Sequence, residues 1–269
     1  MREARKEAAE TLHKTDVVLE VLDARVPFSS CNPLIEALRR KLQRPALKIL
    51  NKQDIADPER TKLWLAYYNA QPGVRAVALS AKQGPSVKRL PERALALAPH
   101  RARPTKPLRM LILGIPNVGK STLMNSLLRR SVSKVGNEPA LTKSQVSHDL
   151  GNHMWLIDTP GMLWPDIEQH AALKLAATHS IGPAAYDAAE VAGELARYLL
   201  DNYTDLFLRR FPVGNPAASN QELIAEIGRL RSLLGEFRDG TLGKISLETP
   251  AQLPAPVMAP PHSDTAPAG

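Results

Sequence analysis

Apolar and polar positions alternate in blocks along the first two thirds of the chain. Five short runs, over residues 17–22, 46–50, 74–79, 108–113 and 153–157, are almost continuously apolar and are set off by charged, Gly or Pro residues. Runs of this length and character predict strands covered on both faces, and the helically spaced stretches between them predict an α/β fold, a mostly parallel sheet with helices on both sides. Asn32-Pro33 and Asp57-Pro58 predict helix starts, because a capping side chain followed by a first-turn proline sacrifices no needed N–H. Residues 144–150, then Gly151-Asn152 and the run at His153, predict a hairpin turned at Gly-Asn and so one antiparallel strand.

After Trp164 the strand pattern stops. Helical spacing runs through residues 187–210 and 219–237, and Ser219 with Glu222 has the spacing of a capping box. The expected organisation is an α/β domain over residues 1–165, a helical domain over 166–248 and a disordered tail over 249–269. That tail is rich in Pro and Ala and offers little apolar surface to offset the entropy of ordering it.

Composition narrows the picture modestly. The 269 residues are 43% hydrophobic and 23% charged, ordinary for a globular chain, and no uncharged apolar run approaches the ~20 residues that cross a bilayer. No membrane span is expected. Thirty-five Lys and Arg against 27 Asp and Glu leave a net charge of +8, which suits a polyanionic partner and equally suits simple solubility. Cys31 is the sole cysteine, so no internal disulfide can form, and the charged first ten residues lack the apolar centre of a secretion signal. A reducing cytoplasm is the expected location. Histidines 148, 153, 170 and 179 show no ligand spacing with Cys31, and Trp64, Tyr67 and Tyr68 stand at helical spacing as core residues would.

Chemistry enters at residues 114–121. Gly-Ile-Pro-Asn-Val-Gly-Lys-Ser follows an apolar strand and precedes a helical stretch, the setting of a phosphate-binding loop. Its glycines let backbone N–H groups turn toward phosphate oxygens, Lys120 adds a charge at the β- and γ-phosphates, and the Ser121 hydroxyl can reach magnesium. Gly114, Asn117, Val118, Gly119, Lys120, Ser121 and Thr122 form the expected phosphate set.

The base is read elsewhere. Asn51-Lys52-Gln53-Asp54 closes one apolar run and Ser80-Ala81-Lys82 the next, and ligands of α/β sheets bind at such carboxyl ends. The Asp54 carboxylate can accept from both N1–H and N2–H₂ of guanine, a donor pair adenine lacks. Lys52 can lay its aliphatic stem on the base, and the Ser80–Lys82 turn can offer a backbone N–H to guanine O6. GTP and GDP are therefore the expected ligands. Asp158-Thr159-Pro160-Gly161 closes the last run: Asp158 is placed to hold the magnesium shell, and Gly161 to offer an N–H to the γ-phosphate. Thr142 is the candidate switch threonine for magnesium, with a capping or exposed threonine as the alternative.

The order of these motifs is unusual. A Ras-like GTPase runs phosphate loop, switch threonine, DxxG, NKxD and SAK, whereas here NKxD and SAK come first, so the fold is circularly permuted. Permutation is tolerated when the original termini lie close together. Residues 83–107 then form the added join, which carries His100, Arg101, Arg103 and Lys106 near Arg109 with no acid among them.

The chain resembles the ribosome-biogenesis GTPase A (YlqF-type) family of circularly permuted GTPases. The resemblance rests on Asp23-Ala24-Arg25 with Pro27 and Ser29-Ser30, on NKQD, GIPNVGKST and DTPGMLWP, and on FRDGTLGKISLE, and so covers residues 1–249. It implies a cytoplasmic GTPase that binds the large ribosomal subunit, through rRNA and ribosomal proteins, late in assembly and leaves after hydrolysis, acting as a monomer. It also implies that Asn117 coordinates a potassium ion, the alternative being a hydrogen bond within the loop.

Met162 stands where Ras-type proteins place a water-orienting Gln. In the resembled family a histidine in a Gly-His-Met segment takes that task, and the chain opens at what matches the Met of that segment. The expected catalytic histidine then lies just upstream of Met1, His13 being read as a solvated helix residue, and within the chain only Lys120 and Gly161 are assigned to the reacting phosphate. Two other readings stay open: a guanine-nucleotide-dependent RNA-binding module with negligible turnover, and a regulatory GTPase with a protein partner.

Overall fold

Each apolar run becomes a strand. The computed structural model describes residues 9–128, 146–159, 163–164, 166–227 and 230–253. Strands β1 (Val17–Asp23), β2 (Ala46–Asn51), β3 (Val74–Ala78), β4 (Leu108–Leu113), β5 (Val146–Gly151) and β6 (Met154–Asp158) form one sheet in the order β3-β2-β1-β4-β6-β5. All neighbours are parallel except β5, which runs antiparallel to β6. Every residue of β1 and β2 is buried, as central strands covered on both faces require. Register pairs Asp23 with Asn51 and Leu50 with Ala78, so the carboxyl ends of β1, β2 and β3 lie along one margin.

The hairpin forms one residue later than expected. Its turn residues are Asn152 and His153, both at positive φ (51° and 59°), the backbone a tight hairpin turn demands. Gly151, expected in the turn, ends β5 instead, where the register shifts between Asp149 and Gly151.

A first helix, α1, is described over residues 9–13. The proline-led starts form: Asn32 caps α2 (Pro33–Lys41) by accepting from the Leu34 and Ile35 N–H groups, and Asp57 caps α3 (Pro58–Asn69) by accepting from Glu59 and Arg60. The stretch 83–107 carries two short helices, α4 (Gly84–Val87) and α5 (Leu90–Leu95), and α6 (Lys120–Leu128) follows β4. Beyond the sheet come α7 (Gln169–Ala177), α8 (Ala188–Asn202), α9 (Thr204–Arg210), α10 (Asn220–Ile227) and α11 (Leu230–Asp239). The pattern over 187–210 is broken into α8 and α9 at Tyr203, whose backbone (φ −141°, ψ 42°) is not helical. Ser219 and Glu222 form the reciprocal capping pair ahead of α10.

The helices and the sheet share one apolar core: Phe207, Leu199, Leu223 and Phe237 join the cluster that holds Val17, Leu19, Met110 and Leu156. The chain then returns to the sheet. The Ile245 N–H donates to the Ile55 carbonyl (3.2 Å) and the Leu247 N–H to the Arg25 carbonyl (2.7 Å). Trp64 and Tyr68 are buried and stacked on each other, and the Trp64 indole donates to the Glu248 carbonyl at 3.2 Å. Pro250–Gln252 make one turn of 3₁₀ helix, and Leu253 packs on the Trp64 cluster. Residues 254–269 of the expected tail lie outside the described residues.

Candidate nucleotide-binding site

The phosphate loop leaves β4 and enters α6 at Lys120. Two glycines make its path possible. A Cβ on Gly114 would stand 2.8 Å from the Val21 carbonyl oxygen, and Gly119, at φ +95°, would drive a Cβ into the Asn51 amide. Asn117 also takes positive φ (61°), and its Nδ2 donates to the His179 carbonyl, 2.7 Å away in the turn after α7. The amide oxygen of Asn117 is left over by that bond.

Asn51 joins three motifs. Its Nδ2 donates to the Val118 carbonyl in the phosphate loop (2.7 Å), and its Oδ1 accepts from the Ala81 N–H (2.8 Å). The Ala81 carbonyl accepts in turn from Ser126 of α6 (3.1 Å). NKxD, SAK and the phosphate loop, separated by up to 67 positions, thus meet at one buried amide. Of the Ser80–Lys82 turn, Ser80 and Ala81 are buried and Lys82 is exposed. The Ala81 N–H is occupied by Asn51, so that donor does not face a base.

Lys52 sits at positive φ (64°) with its Nζ 2.8 Å from Asp23 Oδ2. Asp23, fully buried, also takes two bonds from the Arg25 guanidinium, at 2.9 and 2.8 Å. Burial would raise the Asp23 carboxyl, but the charges of Arg25 and Lys52 outweigh it and hold the group well below the usual carboxylate range. Asp54 differs. One of its carboxylate oxygens is buried without a hydrogen-bond partner among the described residues, an acceptor that two adjacent N–H donors of a guanine would satisfy.

At the phosphate end the Lys120 ammonium lies 2.5 Å from Asp158 Oδ1. The Ser121 side chain is exposed at the first turn of α6, with Thr122 beside it. The Ser121 hydroxyl, next in sequence to Lys120, and the Asp158 carboxylate are oxygen donors of the kind a hard cation takes. Thr142 and Gly161, with Met162, lie outside the described residues.

Among the described residues Glu20, Cys31 and Glu36 are close enough together to suggest a second metal site. The Lys48 ammonium fills it, 2.5 Å from Glu20, 2.9 Å from Glu36 and 3.3 Å from the Cys31 sulfur. Burial pushes the Cys31 thiol up, which keeps it inert.

Arg25 carries a part that motif reading left unassigned. Its Nη1 donates to the Phe237 carbonyl (3.1 Å) and its guanidinium lies over the Phe237 ring, 4.9 Å from the centroid. Next along α11, Arg238 donates to the Ala176 and Ala177 carbonyls at the end of α7, both at 2.9 Å. Polar residues ending an apolar strand beside NKxD were the available signal. Their partner in α11 was not, because it stands 212 positions away.

Comparison with known proteins places this geometry. The family described as 50S ribosome-binding GTPase matches residues 109–203. The chain is 35% identical to ribosome biogenesis GTPase A of Bacillus cereus, over 94% of this chain and 92% of that one. It is 32% identical to ribosome biogenesis GTPase A of Priestia megaterium, over 96% and 97% of the two chains. The GNP-bound structure of YlqF from T. maritima superimposes with a TM-score of 0.62 at 23% identity, covering 93% of this chain and all of that one. The fold is shared.

Proposed function

The chain belongs to the ribosome biogenesis GTPase A family, a GTP-binding and GTP-hydrolysing protein of ribosome assembly, and from that premise we propose that it engages the large ribosomal subunit late in assembly while GTP is bound and departs after hydrolysis. The observation that supports the nucleotide part is the junction at Asn51, three residues before Asp54, which bonds the NKxD segment to the phosphate loop and to the Ser80–Lys82 turn. In this reading Asp54 accepts from the guanine edge and Lys52, fixed by Asp23, covers the base face. Backbone N–H groups of residues 114–122 cradle the phosphates, and Lys120 turns from Asp158 toward the β- and γ-phosphate oxygens.

Ser121 and Asp158, with Thr142, are the residues that would hold magnesium, which when bound neutralises charge growing on the phosphate oxygens. Asn117, whose amide oxygen its bond to His179 leaves over, is the residue that would hold potassium. Gly161, outside the described residues, is the residue whose N–H would meet the γ-phosphate. Among the described residues no helix is long and apolar enough to cross a membrane. In this reading the protein works in the cytoplasm, where the ribosome is assembled, as a monomer.

Co-sedimentation with purified large subunits tests the proposal. Retention with a non-hydrolysable GTP analogue should exceed retention with GDP and weaken as salt rises, because phosphate contacts release counterions. Equal pelleting with both nucleotides would overturn it.

A further inference from the structure

A groove of about 300 Å³ runs beside β3, the open edge of the sheet, between that strand and α4–α5. Val77, Ala78 and Leu79 form one wall, and Ser86, Arg89 and Arg93 the other. We propose that this groove binds the phosphodiester backbone of RNA, which names a contact surface for the reading under Proposed function and rests on it.

Three observations carry it. First, Arg89 and Arg93 stand one helical turn apart, both exposed, and neither has an ion pair among the described residues. Arg89 stands at the cap position of α5 and Arg93 lies one turn in, and Glu92, the acid of that turn, pairs with neither in the ion pairs among the described residues. Two guanidinium charges facing one groove repel each other, and an anion between them would offset that.

Second, the strand supplies donors to the same groove. Leu79 donates its N–H to Leu50 and accepts from Gln53 on the β2 side. By the alternation of the ladder, Ala78 directs its own N–H and carbonyl outward, into the groove. Two guanidinium forks, a hydroxyl and a backbone N–H converging on one cleft match the oxygens of a phosphodiester.

Third, the edge is closed to a protein strand. An added strand needs a row of outward backbone groups, but the Ala76 N–H is already taken by Asn69 Oδ1 (3.0 Å) and the Val74 N–H by the Gln71 carbonyl (3.2 Å). Among the described residues the N–H at Ala78 is the one outward donor of β3 left over, enough for an anionic group and too little for the row of donors that β-pairing needs. Beyond the groove, Lys82 and Lys88 at one end and Arg103 and Lys106 at the other are exposed and unpaired among the described residues. α5 runs back down the sheet from the end of β3 toward the start of β4, where Arg101 pairs with Asp16 (2.7 Å). The free cations therefore trace a line from the nucleotide end of the sheet to its opposite end, which suits an extended polyanion.

The test is a titration of the full chain with a fluorescent RNA hairpin across a salt series. The double variant Arg89→Gln/Arg93→Gln should bind at least about tenfold more weakly and lower the slope of log affinity against log salt by about 2. GTP hydrolysis without RNA and the unfolding midpoint should stay as in the parent chain, and Lys62→Gln, at a cation paired with Glu59 away from the groove, should change nothing. Arg89→Lys/Arg93→Lys should restore the slope. Unchanged affinity and slope in the Gln variant would overturn the proposal. So would an equal loss of binding to a polyglutamate peptide, which would make the groove a site for acidic protein. If parent and Gln variant pellet alike with large subunits, the groove fails and the functional reading stands. If the parent pellets with neither nucleotide, that reading fails while the hairpin titration still decides the groove.

Discussion

The Asn51 amide nitrogen lies 2.7 Å from the Val118 carbonyl oxygen, in a buried bond between the base-reading motif and the phosphate loop. Asn51→Leu removes that donor and the acceptor of the Ala81 N–H together, while nearly keeping the side-chain volume. Each buried group left unpaired costs about 1–3 kcal/mol. The expected result is a lower thermal midpoint together with affinity for GDP and GTP reduced at least about tenfold, read by melting curves and by titration with a fluorescent guanine nucleotide. Loss of stability with affinity unchanged would show that the junction supports the fold alone.

Asp54 offers a sharper test of base recognition, since one of its oxygens is buried without a partner. Asp54→Asn replaces an acceptor with a donor at the guanine N1–H or N2–H₂. Two charge-assisted bonds at about 1.5–3 kcal/mol each predict a fall in GTP affinity of ~100-fold or more. Xanthosine triphosphate, which carries a carbonyl where guanine carries its amino group, should gain relative to GTP. Calorimetry with both nucleotides reads the exchange, and an unchanged preference for GTP would remove Asp54 from the base site.

The centre of the sheet was legible because β1 and β2 are buried on both faces and β4 nearly so, so that length and punctuation suffice. β4 forms over the run expected for it, Leu108–Leu113, and β1 and β2 extend only one residue further, to Asp23 and Asn51. Those added residues are polar because they end at the site, where binding chemistry overrides patterning. Local signals failed where geometry depends on distant partners. Tyr203 breaks the helix because its hydroxyl binds Asp57 (2.8 Å) and the Ser246 carbonyl (3.1 Å), contacts across 146 and 43 positions. The motifs singled out Asn51 and Arg25, but not that Asn51 would bond to two loops or that Arg25 would reach α11.

The Asp23–Arg25–Lys52 cluster should register in acid unfolding. A carboxyl held below its ordinary value stabilises the fold at every pH above its unfolded value, 3.8, and that contribution is lost as pH falls through this value toward the folded one. Between pH 5 and 8 its effect on stability should therefore be flat. Below about pH 4 the parent chain should lose stability more steeply than Asp23→Asn, which has no such proton to take up. At neutral pH Asp23→Asn should be less stable by about 3–5 kcal/mol, since Arg25, 1% exposed, loses its buried counter-charge. Denaturant titrations across pH measure both, and parallel acid limbs would place the acid sensitivity elsewhere.

Asn117 ties the phosphate loop to the turn after α7 through its amide nitrogen, a bond that does not use its amide oxygen. If that oxygen holds potassium beside the β- and γ-phosphates, hydrolysis should run several-fold faster in potassium than in sodium at equal ionic strength, because the added charge stabilises the transition state. Asn117→Ala should bring the two rates together. Equal rates for the parent chain would dismiss the ion and leave Asn117 a purely mechanical link.

Both ends of the site are attached to the helical segment, and this sets how hydrolysis is felt there. At the base end the path is Lys52, Asp23, Arg25 and the Phe237 carbonyl; at the phosphate end it is Asn117 and the His179 carbonyl. Arg238 connects the two by holding the Ala176 and Ala177 carbonyls, three and two residues before His179. The base end is the same with GTP and GDP, so only the phosphate end can carry the difference. Hydrogen exchange should therefore differ between a GTP analogue and GDP in α7 and the turn at His179, and less in α11, which the base end also holds. Asn117→Ala should shrink the α7 difference without changing guanine preference. Identical protection through α7 to α11 in the two nucleotide states would mean that the helices do not respond to the γ-phosphate.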